Sequence, residues 1–211
     1  MERSPEPYHV LQLTRGHDNA IVVSHVKSKG GSTPLYSISH NDKMSKMEIR
    51  RIKRDAISTE QRPVGSIKLR TIPPRVEVSV RGVSFKMTRK HPLSNSHNFS
   101  FLGSGEMRWE ELGKKGTGMR LVDFNGKVWS HFRPKLLLHV INGGSGADQN
   151  SPGSKARWAP GFELHAALAD LDLDLVVTTG LAAAEHRQQL TGDWETVQEH
   201  GQLGGTSWRG G

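Results

Sequence analysis

Six cations crowd into twelve residues of this chain: Lys43, Lys46, Arg50, Arg51, Lys53 and Arg54 all fall within Lys43–Arg54. Lysine supplies a point charge and arginine a forked pair of donors, and both match the oxygens of a phosphate. Spacing decides whether they act together. On an extended strand alternate residues share a face, so Lys46, Arg50 and Arg54 project from one side and Met47, Ile49 and Arg51 from the other. The six form the candidate anion-binding set. Competing readings are a solvated strand face and a short basic stretch of the nuclear-localisation kind. Arg89-Lys90 and Lys114-Lys115 are smaller clusters on expected loops.

Other reactive residue types are scattered. There are 11 His and no His-Glu-x-x-His or comparable ligand spacing, so no metal site is expected. His91 and His97 flank a loop without a neighbouring carboxylate, and His139, in an apolar run, reads as a hydrogen-bonded barrel histidine. Asp170, Asp172 and Asp174 lack the glycine and distal glutamate of a calcium loop. They suit the start of a helix, where the dipole stabilises negative charge. Gly113–Gly118 lacks the Gly-Lys-Ser/Thr ending of a phosphate loop, and no Gly-x-Ser-x-Gly elbow appears. Catalytic residues and cofactors are therefore not expected, and the chain reads as a non-enzyme.

Composition narrows the classes further. The 211 residues are 34% hydrophobic and contain no Cys, which excludes a disulfide scaffold, a thiolate zinc site and a Cys nucleophile. The longest apolar stretch, Leu175–Ala184, falls well short of the ~20 apolar residues of a spanning helix. Met1–Pro5 opens polar, so no secretory signal is expected, and an intracellular protein, cytoplasmic or peripheral to a membrane, is the default. Charge is lopsided. Residues 1–135 hold 25 Lys and Arg against 12 Asp and Glu, a net +13, while residues 136–211 hold 4 against 9, a net −5. The first two thirds should attract phosphates, on lipid or nucleic acid, unless the charge serves solubility alone.

The elements that would position these groups are mostly short strands. Val76, Val78 and Val80 alternate with Glu77, Ser79 and Arg81, then Val83, Phe85 and Met87 with Ser84, Lys86 and Thr88, a hairpin turned at Arg81-Gly82. Asn125-Gly126 marks a second hairpin between Met119–Phe124 and Val128–Phe132. Further strands are expected at Tyr8–Leu13, Ala20–Val26, Leu35–Ser39, Met47–Ile52, Val64–Leu69, Phe99–Leu102, Glu106–Trp109 and Leu136–Ile141. Phe85, Phe99, Phe101, Trp109 and Phe132 should point inward, and at 6% of the chain aromatics are too few for a base-stacking platform. Residues 142–155 read as a flexible loop. From about Leu171 to Gln188 the spacing predicts a helix apolar on most sides, although Leu171–Leu175 also fits a strand entering it. Residues 1–7 and the Gly-rich 190–211 read as disordered ends around a single domain over 8–189. Ten to twelve antiparallel strands closed into a barrel leave room for a helix, and a helix in that place must be apolar all round.

This arrangement resembles the tubby C-terminal-like superfamily, in particular its small, mostly uncharacterised fungal branch. Met107-Arg108-Trp109-Glu110 is similar to the branch's aromatic-Arg-Trp strand. Met119–Phe132 is similar to its leucine-valine-aspartate hairpin, with His131 where an arginine is expected. Leu171–Gln188 is similar to its central helix. Gly180 and the loop at 142–155 depart from the pattern. The resemblance implies a roughly twelve-stranded closed barrel around the C-terminal hydrophobic helix, and kinship with phospholipid scramblase-like barrels. Tubby proteins proper bind phosphoinositides, but their binding Lys and Arg do not map onto positions here. The functional expectation is a barrel binding anionic membrane lipid through a basic face. The alternatives are a protein-interaction or structural barrel and, less favoured, a nucleic-acid-binding one.

Overall fold

The computed structural model describes residues 8–15, 20–27, 31–52, 62–71, 74–89, 91, 94–112, 118–138 and 157–191. The segments read above as residues 1–7, the loop at 142–155 and nearly all of 190–211 lie outside them, as do Lys53, Arg54, Gly113, Lys114, Lys115 and His139.

Twelve strands precede a single helix. They are β1 (His9–Arg15), β2 (Ile21–Val26), β3 (Ser32–His40), β4 (Lys46–Arg51), β5 (Gly65–Thr71), β6 (Pro74–Val80), β7 (Val83–Met87), β8 (His97–Phe101), β9 (Gly105–Glu111), β10 (Met119–Asp123), β11 (Val128–Leu138) and β12 (Arg157–Leu164). The helix is α1 (Leu173–Thr191). Within β1–β7 and within β8–β12 each strand lies antiparallel to the next, and β12 returns to pair with β1. The one remaining gap, between β7 and β8, is bridged by two backbone hydrogen bonds linking Thr88 and Asn98, 2.8 and 2.7 Å long. Phe85 spans the same seam, its ring 5.7 Å from Phe99 and 5.4 Å from Phe101. The result is a nearly closed antiparallel barrel, which leaves little exposed strand edge.

Period-two patterning explains the strands. Val76, Val78 and Val80 of β6 are buried, as are Met47 and Ile49 of β4 and Met107 and Trp109 of β9, while the intervening residues face out. Arg81 (φ 49°) and Gly82 (φ 83°) form the two-residue turn that the β6–β7 register requires.

α1 fills the interior. Ten consecutive residues, Asp174 to Ala183, are buried, which is nearly three turns and so every side of the helix. The expected helix is thus present, starting two residues late and ending three late. A strand does not form at Leu171–Leu175, because Asp172 caps the helix: its carboxylate accepts the Leu175 N–H at 3.2 Å. Among the polar α1 residues inside the core, Thr178 Oγ1 and His186 Nε2 have no hydrogen-bond partner among the described residues, whereas Thr179 is fully engaged. Trp109 Nε1 donates to Thr179 Oγ1 at 2.9 Å, and that hydroxyl donates to the Leu175 carbonyl at 2.7 Å.

Two expectations needed correction. Leu136–Ile141 is not a separate strand, since Leu136–Leu138 continue β11. β12 was not anticipated at all, because Pro160 and Gly161 sit inside it. The proline is tolerated because the β1 ladder stops at Gly161 and β11 carries an irregularity between Arg133 and Leu136, opposite Pro160.

Gly180, an apparent interruption of the helix, is where the rings of Phe162 and Trp109 press closest. An added Cβ would collide with both, coming to 2.9 Å from Trp109 Cζ2. Alanine would gain about 1 kcal/mol in helix propensity, but overpacking a filled core costs about 1–3 kcal/mol. Trp109 is fixed by its hydrogen bond to Thr179 and Phe162 by its packing against Trp109 and Phe132, so neither ring yields easily and the steric cost should win. Gly180→Ala is expected to destabilise the protein by about 1 kcal/mol and Gly180→Val by more, as measured by urea unfolding. A stabilised Gly180→Ala variant would show that the barrel has slack at this point.

Candidate functional site

The basic run begins before β4 and continues along it. Lys46 and Arg50 face outward, while Met47 and Ile49 point into the core and Arg51 lies on their side of the strand. Arg51, at the strand's end, reaches the buried Asp174: its Nε donates to Oδ1 at 2.9 Å and its Nη2 to Oδ2 at 3.0 Å. Tyr36 OH donates to the same carboxylate at 2.9 Å, and burial beside it pushes the phenol well above its usual range. Arg81 adds a bidentate contact to Asp172 and lies 3.6 Å from Asp174. Arg51 is therefore a clamp on the helix start rather than a member of the outer face. Lys43, in the turn before β4, accepts at its carbonyl from Gln189 at the other end of the helix. The sequence-adjacent cations do not form one patch.

Strand register assembles a different one. Lys46 stands directly opposite Lys68 of β5, Lys68 opposite Glu77 of β6, and Glu77 opposite Lys86 of β7. The next outward row reads Glu48, Ser66, Ser79 and Ser84. In the other direction Arg70 stands opposite Arg75. The wall over β4–β7 thus carries Lys46, Arg50, Lys68, Arg70, Arg75 and Lys86 against Glu48 and Glu77, a net +4. Of these cations Arg50 is paired, with Glu48 at 2.8 Å. A shallow groove of about 200 Å³ crosses the wall, lined by Ser66, Lys68, Glu77, Ser79, Ser84 and Lys86. Like charges directly opposite on neighbouring strands are destabilising, and two such pairs lie here.

The other half of the barrel has the reverse character. Arg108 and Arg120 both reach Glu110 at 2.7 Å, and Arg133 reaches Glu163 at 2.8 Å. Those three arginines are salt-bridged, two of them to one carboxylate, whereas Lys46, Lys68, Arg70, Arg75 and Lys86 of the β4–β7 wall have no ion-pair partner among the described residues. Lys68, Arg70, Arg75 and Lys86 were not in the candidate set. They lie far from Lys43–Arg54 in sequence, and only the registers join them.

Two histidine groups are of chemical interest. On the outer face of β11 and β12, His131 lies directly opposite Glu163, and His165 follows two residues later. His131 Nδ1 is 2.8 Å from His165 Nε2 and 3.4 Å from Glu163 Oε2. These residues offer two imidazoles and a carboxylate that could hold a metal ion, although no sequence spacing announced them. Inside the barrel, His97 Nε2 and His186 Nδ1 approach to 2.8 Å. Burial, and then the charge of its neighbours, drives His97 down to about 3 and His186 down to about 4. Glu185, adjacent on α1, is pushed up to about 7 by burial, with the Gln189 amide 3.4 Å away.

No protein-family model, no curated protein and no solved structure matches this chain. No helix among the described residues is long and apolar enough to cross a membrane.

The interior groups give opposite pH dependences. The two histidines stay neutral when folded but take up protons near pH 6.5 when unfolded, so their contribution is full above pH 6.5 and is lost towards pH 4. Glu185 binds its proton more readily when folded, so its cost is largest above pH 7 and is relieved towards pH 4.5. Glu185→Gln should therefore raise stability at pH 8 by about 1–3 kcal/mol and steepen the loss on acidification from pH 6.5 to 4.5. Thermal melts across that range check it. An unchanged melting temperature at pH 8 would mean that the carboxylate is already solvated.

Proposed function

We propose that this chain is a non-enzymatic, tubby-like barrel that binds anionic phospholipid headgroups, phosphoinositides among them, through the wall of β4–β7. One observation carries the reading: on that wall Lys46 stands opposite Lys68 and Arg70 opposite Arg75, with none of the four in an ion pair among the described residues. An anion between each pair converts a repulsion into two attractions. The serine row beside the lysines adds hydroxyl donors for phosphate oxygens, and the groove provides a shallow seat. Such groups hold a phosphate by charge and hydrogen bonding, which favours binding over catalysis. The wall belongs to the first two thirds of the sequence, which carry the large positive excess. Arg51 drops out of the binding set, Lys46 and Arg50 stay in it, and Lys68, Arg70, Arg75 and Lys86 join it.

Co-sedimentation with vesicles containing a phosphoinositide, against neutral phosphatidylcholine vesicles, tests the proposal. At about 1 kcal/mol per cation near an anionic surface, Lys46→Glu with Lys68→Glu should weaken binding by at least ~30-fold. Raised salt should weaken wild-type binding. Arg51→Gln should lower the melting temperature and leave vesicle binding near wild type. Equal binding by the double charge reversal would remove the wall from the mechanism. Retention by RNA rather than by vesicles would transfer it to a nucleic acid.

A further inference from the structure

We infer that His131, Glu163 and His165 form a binding site for a borderline divalent transition ion of the Zn2+ class. His131 and Glu163 come from β11 and β12, on the side of the barrel opposite the basic wall, and His165 directly follows β12. His131 and Glu163 are cross-strand partners, and the His165 N–H donates to the Trp129 carbonyl at 2.9 Å, which keeps the chain extended beyond β12. His131 is buried against the wall, and Glu163 and His165 are half-buried. Register and the His165–Trp129 bond fix the three backbones, and Arg133 holds the Glu163 carboxylate, while His165 Nδ1 has no hydrogen-bond partner among the described residues.

Geometry favours an ion. The donor atoms all lie within 4.8 Å of one another. Metal–ligand distances of about 2.0–2.1 Å place neighbouring donors about 2.9 Å apart in an octahedral site and about 3.4 Å apart in a tetrahedral one. The observed separations are 2.8 Å between the imidazoles and 3.4 Å from His131 Nδ1 to Glu163 Oε2, while the third, from His165 to Glu163, is wider but within 4.8 Å, as for two donors on opposite sides of an ion. A single proton between the rings joins two of the three atoms, while a divalent cation joins all three. Two imidazoles with one carboxylate suit zinc and its neighbours better than calcium or magnesium, which take oxygen. Three protein ligands leave a position for water. Arg133 donates to Glu163 Oε2 at 2.8 Å and serves as the outer partner that orients a ligating carboxylate. This site lies outside the lipid-binding proposal and stands or falls without it. It also runs against the sequence expectation of no metal.

Full-length protein, dialysed against chelator, should bind one equivalent of Zn2+ by titration calorimetry and give a visible d–d absorption band with Co2+. Glu163→Gln and His165→Ala should abolish that band. Arg133→Met, which removes an outer partner, should weaken Zn2+ binding about 10-fold. His25→Ala, which breaks the separate His9–His25 contact, should bind as wild type. Unfolding curves in chelator establish that each variant is folded. If His165→Ala fails to fold, the near-isosteric Glu163→Gln decides. Absence of the Co2+ band in the wild type, its survival in folded Glu163→Gln, or its loss in His25→Ala overturns the assignment.

Discussion

From Asp174 to Ala183 the helix has no side that water can touch, and that single constraint dictates the rest of the molecule. Leu175, Val176 and Val177 face three different directions around α1, and all are buried. Each such side chain gains about 1.5–3 kcal/mol on leaving water, but only if the enclosure is complete. A sheet laid against one face would leave the others wet. Twelve strands curled back on themselves surround a rod about 10 Å across. The rod in turn must be thin where the wall is thick. Gly180, Ala182 and Ala183 supply that narrowness, with the rings of Trp109 and Phe162 packed around the glycine.

Apolar packing alone would not fix how far the helix slides along the barrel. The polar clamp at its start does. Asp174 is only 2% exposed and receives Tyr36, both forks of Arg51 and a more distant Arg81. A carboxylate in that position is costly unless its donors meet it in the right geometry, so displacement of the helix by even one turn would strand the charge. The same clamp explains why the basic run divides. Arg51 is committed to Asp174 although its side chain is half-exposed, and Lys46 and Arg50 are left to the outer surface.

Much of the architecture was readable from the residues. The Val76–Met87 alternation and the all-round apolar character of the C-terminal segment specify strand pairs and an enclosed helix, because period and burial follow from side-chain direction alone. β12 escaped notice because Pro160 and Gly161 are ordinarily strand breakers, and their tolerance depends on what the neighbouring strands do opposite them. The candidate sites were less legible for a related reason. Lys46 and Lys68, or His131 and Glu163, meet through register, and register is a property of pairs of segments. The run that starts at Lys43 was conspicuous in one dimension, and its described cations Lys43, Lys46, Arg50 and Arg51 are divided in three.

The order of elements along the chain has a consequence for how the protein is made. A ribosome delivers all twelve strands before it delivers the residues they enclose. Until α1 emerges, the nascent cylinder has nothing to close around, and its valine- and methionine-bearing inner faces must be kept from pairing with other chains. Closure around the helix must therefore wait until all twelve strands have been made. The joint between β7 and β8, held by one pair of backbone bonds, is the natural place for a pre-formed sheet to admit its core.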